Sequence, residues 1–257
     1  MPHTQKAVFL DIDGTLILGK RGPFNEDIEA IEEARKQGHL FFLNTGRGFG
    51  NLPPVLRDAP WIDGMVCGAG AQILFRGKTV HCRAIPEKAL LEISAFYLNS
   101  KKWCVFEGET ALYGINENNS DLFVTDILSV KNKDDFLTRY KDAQVTKLSI
   151  DGSASAEEQA LLEDYFDLNP FPDYFEGILK GESKSHGMEL ILKELGIARE
   201  NSVAMGDSFN DMSMIRYAGL GIAMGNACDE LKQMAGAITA DCGQGGIAQA
   251  VKKWVLT

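Results

Sequence analysis

Cationic side chains are in deficit in this chain: 26 Lys and Arg stand against 36 Asp and Glu, a formal net charge of −10. Wrapping a phosphate polymer needs clustered cations, so a nucleic-acid partner is not expected. A small phosphorylated ligand needs only one or two cations and a metal, and stays open. Cysteine is sparse and odd in number, at positions 67, 82, 104, 228 and 242, with no C-x-x-C pair. That shows no zinc framework or redox pair and predicts reduced, mostly buried thiols. No apolar run approaches the ~20 residues of a membrane span. The chain runs from Met1 through a short polar lead into Ala7-Val8-Phe9-Leu10, without the basic, apolar and cleavage regions of a secretory signal. We therefore expect a soluble cytoplasmic protein with no membrane partner. What is present is ordinary for a globular protein: 45% hydrophobic and 24% charged residues, which sets aside disorder, collagen and low-complexity architectures. A chain of 257 residues makes one large domain or two smaller ones and buries a core without staples.

The first third alternates strand and helix. Ala7–Ile12 is a continuous apolar run, as in a parallel strand buried on both faces. Glu26–Gln37 has helical spacing and a stop at Gly38; Leu40–Leu43 is a second buried run, Gly48–Arg57 reads as a short helix and Ile62–Cys67 as a third strand. This order implies right-handed crossovers and an open parallel sheet. The last third repeats the grammar: helices over Ser185–Leu195, Asp211–Tyr217, Asp229–Ala235 and Ile247–Val255, and strands over Ser202–Met205, Leu220–Ala223 and Ile238–Ala240. The middle differs. A hairpin around Gly77-Lys78, a helix over Pro86–Ser100, strands over Trp103–Phe106, Ala111–Ile115, Val145–Ile150 and Tyr174–Leu179, and a helix over Ala156–Phe166 suggest an antiparallel sheet with helices on one face. We expect an α/β core of residues 1–81 and 184–257 with a second domain, residues 82–183, inserted into it.

Two acidic motifs follow predicted strands. In Asp11-Ile12-Asp13-Gly14-Thr15, two carboxylates leave the sheet where open α/β sheets bind ligands. Two like charges this close need relief from a divalent cation or a proton. Gly206-Asp207-Ser208-Phe209-Asn210-Asp211 is the second cluster; Asp207 is placed to ligate a metal and Asp211 lies about one helical turn on. Oxygen ligands of this kind suit Mg²⁺ beside a phosphate. Asn44-Thr45-Gly46-Arg47 follows the second strand and is either an anion cradle or simply a turn. Lys184, just before a predicted helix, is on its own an ordinary solvated lysine. The two acidic motifs together, each behind a strand, have a chance frequency on the order of one in 10⁵ chains.

With these motifs the chain resembles the haloacid dehalogenase (HAD) superfamily phosphatases of the Cof type, subclass IIB, over nearly its whole length. The resemblance is carried by Asp11–Leu16, Thr45–Arg47, Lys184, Gly206–Asp211 and Ala223-Met224-Gly225-Asn226-Ala227. It implies a Rossmann-like core with a parallel sheet and an inserted α/β cap domain (type C2B). It implies Asp11 as nucleophile and Asp13 as general acid and base, with the Asp13 carbonyl also touching the metal. Asp207 would complete the protein ligands of Mg²⁺, supported by Asp211, while Thr45, Gly46, Lys184 and Asn210 would hold the phosphoryl oxygens. One departure is visible: the stretch Cys67-Gly68-Ala69-Gly70-Ala71 has Ala69 or Cys67 where family members often carry Asn.

Other residues are weaker candidates. His186 could line the site mouth or be an exposed helix-start histidine; His3, His39 and His81 receive no role. Glu107, Glu109 and Trp103 lie on the presumed cap, where they meet a leaving group or form a solvated turn with one core Trp. Arg47 positions the phosphate loop or pairs with a carboxylate, and Met205, Met212 and Met214 are core filler. The expected activity is a Mg²⁺-dependent phosphomonoesterase acting on a small phosphorylated metabolite, by analogy a sugar phosphate, through an aspartyl-phosphate. The alternatives are a phosphosugar mutase and a non-catalytic metabolite-binding or regulatory protein on the same fold.

Overall fold

The computed structural model describes residues 4–116 and 125–256; His3 lies outside them. In chain order the strands are β1 (Ala7–Leu10), β2 (Leu40–Asn44), β3 (Gly64–Cys67), β4 (Gln72–Phe75), β5 (Lys78–Cys82), β6 (Cys104–Gly108), β7 (Leu112–Ile115), β8 (Ile127–Ser129), β9 (Val145–Asp151), β10 (Phe166–Pro170), β11 (Tyr174–Leu179), β12 (Ser202–Gly206), β13 (Leu220–Ala223) and β14 (Ala237–Ile238). The helices are α1 (Asn25–Lys36), α2 (Pro54–Arg57), α3 (Glu87–Asn99), α4 (Ala156–Leu162), α5 (Lys184–Leu195), α6 (Met212–Tyr217), α7 (Asp229–Met234) and α8 (Gly246–Ala250), the last running into a π-helical turn over Val251–Val255.

Two sheets result, with spatial orders β14-β13-β12-β1-β2-β3-β4-β5 and β10-β11-β9-β6-β7-β8. The first is parallel from β14 to β3 and antiparallel at β4 and β5. Its central strand is apolar on both faces because helices cover both. Val8 and Leu10 face the layer of α1 and α8 with Ile31, Ala34, Ile247 and Val251. Ala7 and Phe9 face the layer of α5, α6 and α7 with Met188, Ile191 and Leu231. There Phe9 stacks on Phe42 with ring centroids 5.1 Å apart, and truncating either ring to Ala would cost about 3–5 kcal/mol. Met205 and Met214 are buried in these layers and Met212 packs at their edge, as expected of filler.

Chain order along the first sheet runs outward from β1 through β2 and β3 on one side and through β12, β13 and β14 on the other. The C-terminal ends of β1 and β12 therefore sit side by side, Leu10 opposite Met205, at the point where strand order reverses.

The second sheet is antiparallel except for the β7–β8 pair. Ala89, Ile93 and Tyr97 of α3 and Leu162 of α4 pack with Cys104, Phe106, Leu148, Ile150 and Phe175 on one face. Period-2 alternation sends Glu107, Lys147, Ser149 and Glu176 to the other. This is the core-and-cap architecture of the expected α/β fold. Hydrogen bonds from Gly48 N–H to Glu107 Oε2 (2.8 Å) and from Thr125 Oγ1 to the Gly50 carbonyl (2.7 Å) join the cap sheet to the loop after β2.

Three helix expectations need correction. Gly48–Arg57 is not one helix but a 3₁₀ turn, Phe49–Asn51, followed by α2, with Leu52 and Pro53 extended between them. Pro54 disfavours helical backbone at the residue before it. The helix expected over Ala156–Phe166 stops at Leu162; Phe166 instead opens β10, pairing with Leu179. Lys184 does not precede its helix but is its first residue, behind Ser183, whose Oγ accepts the His186 N–H at 3.1 Å.

Candidate active site

Asp11 is the first residue beyond β1, and its N–H still bonds the Met205 carbonyl at 3.0 Å, so the sheet fixes its backbone. Gly14 turns the chain away at φ +89°, and a Cβ there would run into the Asp207 carboxylate. Only glycine lets the two motif loops approach this closely. Thr15 Oγ1 donates to Asp207 Oδ1 at 3.2 Å, and Asn226 ties the Gly14 carbonyl (2.8 Å) to the Cys242 N–H (2.7 Å). The C-terminal stretch thus braces the first acidic loop.

The second loop is built around Asp211, which is fully buried. Its Oδ2 accepts the N–H groups of Asp207 (2.9 Å) and Ser208 (3.0 Å), and its Oδ1 accepts Lys184 Nζ at 2.6 Å. Lys184 also reaches Asp11 Oδ1 at 2.6 Å and Asn210 Oδ1 at 3.2 Å. Its backbone is held in turn by Asn44 Nδ2, which donates to the Lys184 carbonyl at 3.0 Å. Burial alone would pull this lysine down, but Asp11 and Asp211 hold it above its ordinary range.

Asp11, Asp207 and Asp211 each offer a carboxylate oxygen, all within 4.8 Å of one another. Burial, then repulsion from Asp211, pushes Asp11 up to about 8 despite Lys184. Burial and the same neighbour push Asp207 up to about 6. A crowded set of oxygen donors, with the charged forms of Asp11 and Asp207 disfavoured, fits a hard divalent cation, which supplies the missing positive charge. The Asp13 carboxylate is not one of the three. It is half-exposed and gripped by Arg47, with Nε at 2.7 Å and Nη2 at 2.8 Å; of the two readings of Arg47, pairing with a carboxylate is the one seen.

Thr45 and Gly46 line a cavity of about 320 Å³ with Asp11, Asp13 and Asn210. The Thr45 hydroxyl accepts the Arg47 N–H at 3.1 Å, which shapes the loop. The sequence-predicted residues Asp11, Asp13, Thr45, Gly46, Lys184, Asn210, Asp207 and Asp211 are thus gathered from four chain segments at one end of the first sheet. Of the cap candidates, Glu107 lines the cavity, Trp103 is buried in a separate cap cluster, and Glu109 accepts the Thr79 hydroxyl at 3.3 Å.

A model of the haloacid dehalogenase-like hydrolases matches residues 8–251. The chain belongs to that family. This haloacid dehalogenase-like hydrolase is 26% identical over 258 residues to the 5-amino-6-(5-phospho-D-ribitylamino)uracil phosphatase YcsE of Bacillus subtilis (strain 168), covering 98% of this chain and 96% of the relative. It is 27% identical over 284 residues to the phosphatase YwpJ of the same organism, covering 96% and 99%. Among solved structures it is similar to the HAD subclass IIB sugar phosphatase BT4131, with a TM-score of 0.82, 27% identity, and coverage of 98% of this chain and all of the other. The hydrolase is a phosphatase of this family, with the core and cap of subclass IIB.

Sequence reading passed over the cap residues that complete the cavity: Lys147, Ser149, Phe171, Tyr174 and Glu176. Polar residues alternate with apolar ones in β9, but which face they occupy depends on a register that only the assembled sheet defines. It also gave His81 no companion. Its ring meets that of His186 at 6.3 Å, and each histidine lies 3.9 Å from the buried Glu182 at the passage from cap to core. Among the described residues no helix is long and apolar enough to cross a membrane.

Proposed function

We propose that the protein hydrolyses small phosphomonoesters through a phospho-aspartate formed on Asp11, with Mg²⁺ as cofactor. The observation that carries this reading is the convergence of Asp11, Asp207, Asp211 and Lys184 beneath a cavity walled by Thr45, Gly46 and Asn210. Asp11 attacks phosphorus in line with the ester oxygen, which leaves with a proton from Asp13. Asp13 then takes a proton from water as that water attacks the phospho-aspartate, releasing inorganic phosphate and restoring Asp11. Splitting the reaction in two replaces one difficult hydrolysis by two easier displacements.

Asp13 lies on the cavity wall with both carboxylate oxygens in the Arg47 fork, so the fork opens for Asp13 to carry a proton. The Lys184 ammonium offsets charge on the phosphoryl oxygens, and Thr45 and Asn210 orient them; fixed donors of this kind stabilise the transition state without reorganisation. Asp11, the Asp13 carbonyl and Asp207 would hold Mg²⁺, with Asp211 holding the loop that carries Asp207. The ion lowers the repulsion between an anionic nucleophile and an anionic phosphate. Residues 82–183 form the cap that closes over this chamber and limits water to the attacking molecule.

The substrate class we infer is a small phosphorylated metabolite of the sugar-phosphate type, a cavity of about 320 Å³ being at the small end of ligand sites. Release of inorganic phosphate from p-nitrophenyl phosphate and from sugar phosphates, with Mg²⁺ and with chelator, tests the reading. Turnover that chelator stops and Asp11→Asn abolishes supports it. Isomerised sugar phosphate without phosphate release would instead identify a mutase.

A further inference from the structure

The cap contributes the charged side chains Glu107, Lys147 and Glu176 to the cavity wall. Glu107 on β6 faces Lys147 on the neighbouring β9, and Ser149 faces Glu176 on β11. Lys147 Nζ lies 3.1 Å from Glu107 Oε1 and 2.5 Å from Glu176 Oε1. Glu107 is fully engaged, because Ser149 Oγ donates to its Oε1 at 2.7 Å and Gly48 N–H to its Oε2 at 2.8 Å. Glu176 is not. Its Oε1 takes the lysine, while its Oε2 has no hydrogen-bond donor among the described residues and lies beside Gly46, 3.9 Å from where a Cβ on that glycine would stand. The unengaged carboxylate oxygen of the wall therefore lies beside the phosphate loop, where the first atoms of a leaving group would lie.

The cations around the chamber are already matched. Arg47 forks onto Asp13, Lys184 bridges Asp11 and Asp211, and Lys147 is shared by two carboxylates. With all three ionised, the Glu107–Lys147–Glu176 group sums to one formal negative charge; burial pushes the Glu176 carboxyl up, and the Lys147 charge opposes it. Beside it Phe171 and Tyr174 stack face to face, centroids 4.5 Å apart, and offer apolar surface.

We propose that Glu176 is a specificity-determining residue. Its open oxygen accepts a hydrogen bond from a hydroxyl or amine a few atoms from the ester, and the net negative wall rejects leaving groups that carry a second anion. The substrates are then monophosphates of neutral or cationic polyols and amino alcohols, not bisphosphates or phosphorylated carboxylic acids. This rests on the phosphatase reading above. A site built to hydrogen-bond a donor rejects an analogue lacking it by up to about 10⁴-fold, because the buried acceptor is left unpaired.

The test compares glycerol 3-phosphate with 3-phosphoglycerate, which replaces the terminal hydroxymethyl by a carboxylate, and with n-propyl phosphate, which lacks hydroxyls; p-nitrophenyl phosphate serves as reference. Expected is a kcat/KM for glycerol 3-phosphate about 100-fold above that of either analogue. Glu176→Gln is expected to shrink the preference over 3-phosphoglycerate at least about tenfold and to raise the absolute rate on 3-phosphoglycerate, a gain that a merely structural role would not produce. Should Glu176→Gln not fold, the wild-type ratios and Glu176→Asp, expected to lower kcat/KM for glycerol 3-phosphate, carry the test. Release from p-nitrophenyl phosphate with wild-type ratios near one overturns this proposal and leaves the phosphatase reading standing. A ratio unchanged in Glu176→Gln overturns the assignment to Glu176, and no release from any of the four compounds overturns both.

Discussion

The ammonium of Lys184 lies 2.6 Å from Oδ1 of Asp11, across 173 residues of chain, in a pocket where both side chains are buried. The same nitrogen is 2.6 Å from Asp211, so one cation holds two buried carboxylates. Lys184→Met leaves both uncompensated. Breaking a buried pair from one side costs about 3–5 kcal/mol, and urea denaturation in chelator is expected to show a loss of that size, with activity at background. A variant as stable as wild type would show that the carboxylates are not charged there.

Asp11→Asn is expected to reduce phosphate release to background without weakening the fold. The charged form of Asp11 is disfavoured by burial and by Asp211, which push the group up to about 8. A neutral isostere therefore removes a disfavoured charge while Lys184 keeps Asp211 as its counter-ion, and the melting temperature in chelator at pH 8 should not fall. Substantial residual turnover would remove Asp11 as nucleophile.

Asp13→Asn and Asp207→Asn should separate chemistry from metal binding. Asp13 sits outside the carboxylate cluster, so its amide variant is expected to keep the thermal shift on adding Mg²⁺ while kcat falls about 10²–10⁴-fold. Asp207→Asn is expected to lose the shift. For wild type the ion should add about 2.7 kcal/mol at a hundredfold excess over its Kd. Equal shifts in the two variants would reject this division.

Glu107 sets an acid-side dependence. Burial pushes its carboxyl up, but the Lys147 charge and the hydrogen bonds from Ser149 and Gly48 outweigh that and hold it below the usual range. A depressed carboxylate stabilises the fold above its unfolded value of about 4.3, and that stability is lost as pH falls through the lower folded value. Melting temperatures below about pH 4.5 should therefore fall more steeply for wild type than for Glu107→Gln. Parallel acid limbs would show that Glu107 contributes no such linkage.

Ala69 has φ +53° and ψ +36°, left-handed backbone that an L-residue enters at a cost of about 1–2 kcal/mol. Ala69→Gly is expected to raise unfolding free energy by about 1 kcal/mol, read from denaturant midpoints at constant slope. The strain in this loop thus falls on Ala69, a position where Gly or Asn would tolerate the conformation.

Much of this was legible in the chain. The continuous apolar run of β1 announced a strand covered on both faces, and the carboxylates placed directly after β1 and β12 announced a site at the strand tips. Tyr174–Leu179 and Leu220–Ala223 fall where their patterns place them. The hairpin after β3 was visible too, though its turn is Arg76-Gly77, both with positive φ, rather than Gly77-Lys78. What was not legible depends on pairing. Ile127–Ser129 is too short to show a period and exists through its parallel contact with β7. Phe166 looks like the end of a helix until Leu179 is across from it and its ring lies over Gly177. Lys147 and Glu176 stand on adjacent strands 29 residues apart, and only the register of the cap sheet makes them neighbours.

The strand order also governs when this enzyme can first exist. Asp11 is synthesised before Lys184, Asp207 and Asp211, and the last two follow β12, the strand that must dock against the edge of β1 left open by β2. A nascent chain stopped before residue 202 lacks β12 and exposes an unpaired apolar edge, a surface that invites association during synthesis. The cap, translated in between, has all its strands before that edge is sealed.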